Sequence, residues 1–237
     1  MTIKRRKAYS TKNRDHSARL TTASNPSGVA AEAYRTLRTY LFYTLMEESS
    51  KVLVLTSSGS GEGKSTTCAN LGIVLAQMHK STLIVDCDLR KPEIHKFFAL
   101  PNVWGIGDIL IGNQSLQSVL EEPFPDLKVI PGGSIPLDPT ELLGSERFKR
   151  FLEQMRREFD YVLLDSPPVG SVSDPIILAR HADGVLLVLD AQHTRKSSVR
   201  RSVRKLQTVG ANVIGTVMNN VTVPEGYPRY DYPYDLR

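Results

Sequence analysis

The sequence predicts a doubly wound α/β fold, with a mostly parallel sheet and helices on both faces. Three observations carry that expectation. Apolar runs of strand length recur at Val52–Thr56, Thr82–Asp86, Leu127–Ile130, Tyr161–Asp165, Gly184–Leu189 and Val213–Met218. They are continuous rather than alternately apolar and polar, as strands covered on both faces are. Helical patterns lie between them, and strand–helix repetition builds an open parallel sheet. The first strand runs into the glycine-rich stretch Ser58–Thr66 and then into a helix, so a ligand is expected beyond the C-terminal strand ends.

At 237 residues, with 41% hydrophobic and 23% charged side chains, the chain has the composition of a soluble protein with one large domain. No apolar run approaches the ~20 residues of a membrane span, and the basic N-terminus lacks the apolar segment of a secretory signal. Cys68 and Cys87 fall in expected core elements, which suits a reducing compartment rather than a disulfide framework. The five histidines form no ligand spacing, so a zinc centre is not expected. The net charge of +5 invites an anionic partner. The expected division is a basic flexible arm over 1–27, a phosphate-loop domain over 28–222 and a tyrosine-rich tail over 223–237.

In chain order, Lys4, Arg5, Arg6, Lys7, Lys12, Arg14 and Arg19 make the arm either a solvated tail or a contact for an anionic membrane face. Ala31–Glu47 reads as a helix with Ala33, Leu37, Leu41 and Leu45 on one stripe. Glu32, Arg35 and Arg38 sweep round the opposite side, as an ion-pair ladder within the helix or a charged seam between subunits. Next comes Ser-Gly-Ser-Gly-Glu-Gly-Lys-Ser-Thr, Ser58 to Thr66, with Ser58 where a first glycine is usual. Strand, glycine loop and helix form the context of a phosphate-binding loop. Gly59, Gly61 and Gly63 let the backbone N–H groups converge on phosphate oxygens, Lys64 reaches the β/γ-phosphates, and Ser65 sits on Mg²⁺. Ser60, Glu62 and Thr66 complete the expected nucleotide-binding set. Cys68, Leu71, Leu75 and Met78 mark one face of the following helix.

The next strand ends Asp86-Cys87-Asp88-Leu89-Arg90, with its two carboxylates on one side if the strand continues. Asp165 ends another strand before Ser166-Pro167-Pro168. An Asp in such a place holds Mg²⁺ directly or through water, and three carboxylates exceed what one Mg²⁺ takes from protein. One is left as general base. Helices follow at Ser145–Phe159 and Thr194–Val209. Arg195, Lys196, Arg200, Arg201, Arg204 and Lys205 of the latter read as a solvated face, without the interleaved aromatics of a nucleic-acid surface. In the tail, Tyr227, Tyr230, Tyr232 and Tyr234 alternate with Pro224, Pro228 and Pro233, which forbid a helix interior.

From about Ala31 to Val221, these motifs resemble the bacterial tyrosine kinases (BY-kinases) of capsular and exopolysaccharide systems. Ser58–Ser65 is similar to the family's Walker A motif, Asp86–Arg90 to its Walker A′ motif Asp-x-Asp-x-Arg, and Val162–Pro168 to its Walker B. Glu32, Arg35 and Arg38 match the Glu-x-x-Arg-x-x-Arg oligomerisation motif, and Pro139–Leu143 and Ser173-Asp174 resemble further family stretches. Ser60 stands where many relatives have Pro, and Asp138 where Asn is frequent. Asn219 resembles an adenine-contacting Asn, with Asn220 adjacent.

The resemblance implies an ATP- and Mg²⁺-dependent protein-tyrosine kinase that autophosphorylates Tyr227, Tyr230, Tyr232 or Tyr234 and regulates polysaccharide synthesis and export. Lys64 holds phosphate, Ser65, Asp88 and Asp165 hold Mg²⁺, and Asp86 is the base, with Asp86 and Asp88 able to exchange roles. It also implies a homo-oligomeric ring, a separate transmembrane activator (a polysaccharide co-polymerase acting through its cytoplasmic segment) and a cognate tyrosine phosphatase. The location implied is cytoplasmic, at the inner face of the membrane. The alternatives are a partition- or division-site-type ATPase, whose extra loop lysine is replaced here by Gly59, and a nucleotide-gated scaffold with little kinase activity.

Overall fold

The computed structural model describes residues 16–45 and 50–222. Elements run in the order α1 (Thr21–Ser24), α2 (Val29–Thr44), β1 (Lys51–Ser57), α3 (Lys64–Ala76), β2 (Thr82–Asp86), α4 (Ile94–Phe97), α5 (Ile106–Ile111), α6 (Leu116–Val119), β3 (Glu121–Phe124), β4 (Leu127–Ile130), α7 (Pro139–Leu143), α8 (Glu146–Glu158), β5 (Tyr161–Asp165), α9 (Asp174–Ala179), β6 (Gly184–Asp190), α10 (Lys196–Thr208) and β7 (Val213–Asn219). Among these residues no helix is long and apolar enough to cross a membrane.

Seven strands form one sheet in the order β3-β4-β2-β5-β1-β6-β7. All pair in parallel except β3, which runs antiparallel to β4 at the edge. The six expected strands are present, and β3 is an addition. Side chains alternate between two cores. Val52, Val54, Leu83, Val85, Val162 and Leu164 face the layer of α5 to α10. Leu53, Leu55, Ile84 and Leu163 face the layer of α1 to α4. Strands β2, β5 and β6 are therefore buried along their whole length, whereas β7, at the opposite edge, stays half-covered.

Local chemistry sets the helix bounds. The Ser145 hydroxyl accepts the Phe148 N–H at the start of α8, Glu146 sits at its positive end, and Arg156 and Arg157 sit at its negative end. Phe148, Phe151, Leu152 and Met155 supply its buried stripe. Helix α3 is buried on nearly every side rather than along one stripe, and Met78 lies beyond it, exposed.

Two expectations about the N-terminal third are corrected. In α2 the inward residues are Ala31 and Leu41, with Tyr34 and Leu37 partly buried, while Ala33 faces out. Arg38 turns inward and donates to the Val74 carbonyl in the last turn of α3 at 2.9 Å. Glu32 and Arg35 do pair on the surface, at 2.8 Å. The arm expected over 1–27 is in part packed structure. Leu20 and Thr22 are buried, and Asn70 of α3 holds the segment. Its Oδ1 accepts the Thr22 N–H at 3.0 Å and hydroxyl at 2.9 Å, and its Nδ2 donates to the Arg19 carbonyl at 2.9 Å. A polar hub between segments 48 residues apart leaves no periodic trace in sequence. The basic residues from Lys4 to Arg14 and the tyrosines from Tyr227 to Tyr234 lie outside the described residues.

Replacing Asn70 by Ala leaves the buried N–H and hydroxyl of Thr22 without their acceptor and removes the bond to the Arg19 carbonyl, at a cost of about 2–3 kcal/mol. Urea titration should show that loss. Trypsin should then cut after Arg19 well before it cuts the core; equal protection of Arg19 in both chains would refute the anchoring role.

Candidate active site

Sheet register assembles the site. Asp165, the last residue of β5, lies opposite Asp86 of β2 on one side and Leu55 of β1 on the other. Two strand-end carboxylates are thereby set side by side, next to the loop that leaves β1. That loop needs glycine at Gly63, where φ is 93° and an added Cβ would run into the Asn219 side-chain amide. Ser58 has no left-handed backbone to satisfy, so the missing first glycine is of no consequence there.

Lys64 lies at the centre. Its Nζ is 3.0 Å from Asp88 Oδ2, 3.7 Å from Asp165 Oδ2 and 3.2 Å from Ser65 Oγ. Burial alone would lower its pKa, but Asp165 and Asp88 raise it, so it stays charged. The Ser65 hydroxyl donates to Asp165 Oδ2 at 2.6 Å. Asp165 Oδ1 is buried without a hydrogen-bond partner among the described residues. Burial pushes the Asp165 carboxyl up to about 6, against the pull of Lys64 and Ser65. An orphaned carboxylate oxygen beside a serine hydroxyl is a hard-donor set that fits Mg²⁺, whose other positions phosphate oxygens and water can fill. No His, Cys, Asp and Glu cluster forms an all-protein metal cage among the described residues.

The two A′ carboxylates diverge because β2 ends at Asp86. Asp86 turns into the protein. Its Oδ2 accepts the N–H groups of Glu93 at 2.9 Å and Ile94 at 3.0 Å, and its Oδ1 accepts that of Asp88 at 3.2 Å. Burial, then the neighbouring Asp165, holds its pKa well above the usual range. Asp88 instead lines a cavity of about 430 Å³, together with Ser60, Gly61, Gly63, Lys64 and Ser65. Thr66 lines it as well; Gly59 does not.

Glu62, expected among the ligand-binding residues, turns its side chain away from the cavity. Its Oε2 accepts the N–H groups of Ser58 at 2.7 Å and Gly59 at 3.0 Å, and its Oε1 accepts the Thr194 hydroxyl at 2.6 Å. Asn219 donates to the Glu62 carbonyl at 3.3 Å. Both brace the loop from the ends of β6 and β7. Thr194 escaped sequence reading because nothing in its own neighbourhood marks it. Arg90, His16 and Arg19 also line the cavity, and only Arg90 sat in a recognised motif. Arg195, just before α10, and Lys196, Arg200, Arg201 and Arg204 on it are exposed, while Lys205 folds back onto the Val169 carbonyl at 3.1 Å.

The raised Asp165 carboxyl has a consequence for stability. Its contribution is complete below the unfolded value of 3.8 and is lost as pH rises through about 6. Asp165→Asn should therefore flatten the pH dependence between those limits and stabilise the ligand-free chain at pH 7 by about 1–3 kcal/mol. Urea midpoints at pH 4, 5.5 and 7 check this; an Asn chain less stable than wild type at pH 7 would contradict it.

Residues 50–218 match the family model of an AAA domain. Tyrosine-protein kinase wzc of Salmonella typhi is 35% identical over 222 residues, 92% of this chain. The chain spans only 31% of the length of that relative. Tyrosine-protein kinase YwqD of Bacillus subtilis (strain 168) is 36% identical over 197 residues, 83% of either chain. The kinase domain of Escherichia coli tyrosine kinase ETK superposes with a TM-score of 0.83 at 31% identity, covering 91% of this chain and 84% of that one. With the phosphate loop and the Asp-x-Asp-x-Arg turn lining one cavity, and the strand-end Asp165 bonded to the Ser65 that lines it, this chain belongs to the bacterial tyrosine kinase family.

Proposed function

We propose that the chain transfers a phosphoryl group from ATP to tyrosine hydroxyls, its acceptors being Tyr227, Tyr230, Tyr232 and Tyr234. The observation that carries this reading is the convergence of Lys64, Ser65 and Asp88 on one cavity beside the glycine loop, with the buried Asp165 bonded to Ser65. Amide groups of the loop and Lys64 hold the β- and γ-phosphates, and Lys64 offsets charge growing on the leaving oxygen. Ser65 and Asp165 would hold Mg²⁺, which when bound neutralises charge on the transferring phosphoryl group.

A free tyrosine hydroxyl, with pKa near 10, is a poor nucleophile at neutral pH. The base must reach it. Asp86, the residue favoured from sequence, has its oxygens committed to three backbone amides and does not line the cavity. Asp88 does line it; its Oδ2 pairs with Lys64 at 3.0 Å and its Oδ1 accepts the Lys91 N–H at 3.1 Å. Movement of Lys64 onto phosphate would free Asp88 to accept the hydroxyl proton, and of the two carboxylates whose roles the sequence leaves exchangeable, the proposed base is Asp88. Asp86 shapes the turn that presents it.

The same reading places the protein in capsular or exopolysaccharide synthesis and export, at the inner membrane face, with a transmembrane activator, a cognate phosphatase and a ring joined through Glu32, Arg35 and Arg38. The inward bond of Arg38 leaves Glu32 and Arg35 as the more accessible part of that motif. From Val221 to Tyr234 is 13 residues, at most roughly 45 Å extended, so transfer within one chain and between neighbours are both sterically open. Each phosphate adds about −1.5 to −2 charge, which disfavours return of a modified tail to a site with three carboxylates.

Phosphopeptide mass spectrometry after incubation with Mg²⁺ and ATP should find phosphate on the tail tyrosines of wild type and none in Lys64→Met. Absence from both, with the cytoplasmic segment of a membrane activator supplied, would refute the kinase reading. Asp88→Asn should lower transfer by about 10²–10⁴-fold with ATP affinity within a few-fold of wild type. Asp86→Asn should chiefly lower the melting temperature. The opposite pattern would return the base to Asp86.

A further inference from the structure

Arg90 is built into the cavity wall in a way that phosphate binding and proton transfer do not use. Its Nε donates to Asp174 Oδ2 at 2.8 Å, and its Nη2 to Asp174 Oδ1 at 3.2 Å and Thr140 Oγ1 at 2.9 Å. Thr140 donates in turn to Asp174 Oδ1 at 2.6 Å. The three residues come from the turn after β2, the first turn of α7 and the start of α9. The Asp174 side chain is 0% exposed, whereas that of Arg90 is 41% exposed. A buried carboxylate is costly unless its partner and geometry are good. Here it clamps one edge of a guanidinium whose other side is open to the cavity.

Nη1 has no hydrogen bond among the described residues, and Arg90 lines the same cavity as Lys64 and Asp88. A guanidinium fixed along Nε and Nη2 has its remaining N–H groups oriented in advance, the arrangement that suits carboxylate recognition. The tail supplies the complement. Glu225 lies two residues before Tyr227, Asp231 lies between Tyr230 and Tyr232, and Asp235 follows Tyr234. Every tail tyrosine thus has a carboxylate within two residues.

We propose that Arg90, oriented by Asp174 and Thr140, is an acceptor-specificity residue that binds a carboxylate beside the target tyrosine, so that the acceptor class is the acid-flanked tyrosine. The proposal rests on the kinase reading above. Charge complementarity then selects both the chain's own tail and any other protein segment with an acidic residue next to an accessible tyrosine.

The test offers the full chain, with Mg²⁺ and ATP, two peptides spanning 223–237. One has the native sequence, and the other carries Glu225→Gln, Asp231→Asn and Asp235→Asn. Loss of a charge-assisted contact should raise the peptide KM about tenfold for the amide peptide, with kcat little changed. Arg90→Gln should abolish the difference and Arg90→Lys should restore part of it. No discrimination by wild type, or full discrimination by Arg90→Gln, overturns the proposal; so does an Arg90→Gln effect confined to the KM for ATP, which would assign the group to the nucleotide.

Arg90→Gln strands Asp174, and that chain could fail to fold. Thr140→Val keeps the buried ion pair while loosening the clamp, and should bring the KM ratio toward one; an unchanged ratio overturns the clamp. If wild type phosphorylates neither peptide even with the cytoplasmic segment of a membrane activator supplied, the kinase reading has failed instead. The subsite is then judged by fluorescence anisotropy of the two labelled peptides with the wild-type chain, where equal affinities overturn it and weaker binding of the amide peptide supports it.

Discussion

One ammonium group makes this site possible. The register of a parallel sheet sets Asp86 and Asp165 shoulder to shoulder at the rim, and the turn after β2 brings Asp88 close by. All three are buried or nearly so. Like charges in a low dielectric repel strongly and lose hydration, so the cluster depends on Lys64, which lies between Asp88 and Asp165, and on the backbone amides that hold Asp86. The lysine is in turn placed by the left-handed Gly63 at the head of α3. An anion entering the loop would compete for that same cation, which would make ligand binding and charge balance among the carboxylates one event.

The brace around the loop explains how so glycine-rich a segment keeps one shape. Glu62 closes over the first two amides of the loop from within, Thr194 holds Glu62 from the end of β6, and Asn219 fills the space that a side chain at Gly63 would need. Pre-shaped amides do not need to be ordered when the ligand arrives, which is where a flexible loop would lose affinity.

The sheet and its loop were legible because their signals are local: unbroken apolar strands and a strand–glycine–helix transition. What escaped was non-local or masked by polar residues. Strand β3 reads Glu-Glu-Pro-Phe, and neither its proline nor its acids suggest a strand; it forms because an edge position tolerates them. The docking of residues 16–24 depends on the Asn70 amide, and the inward turn of Arg38 depends on a helix-end carbonyl. Asp86 looked like a reactive group because sequence shows a carboxylate at a strand end. It does not show that the chain folds back to offer the Glu93 and Ile94 amides to it. Arg90 was visible as part of a motif, but its fixed orientation required Thr140 and Asp174, 50 and 84 residues away.

The Asn70 hub also joins two things that look unrelated. It lies on the helix that begins at Lys64, and it holds the chain just after the basic N-terminal stretch. These contacts tie the chain at Arg19 and Thr22 to the helix that carries the loop. Linkage is reciprocal. Whatever factor a partner on the N-terminal stretch imposes on nucleotide affinity, nucleotide imposes the same factor on the partner, and a basic stretch held by an anionic surface would report the state of the loop to that surface without any further moving part.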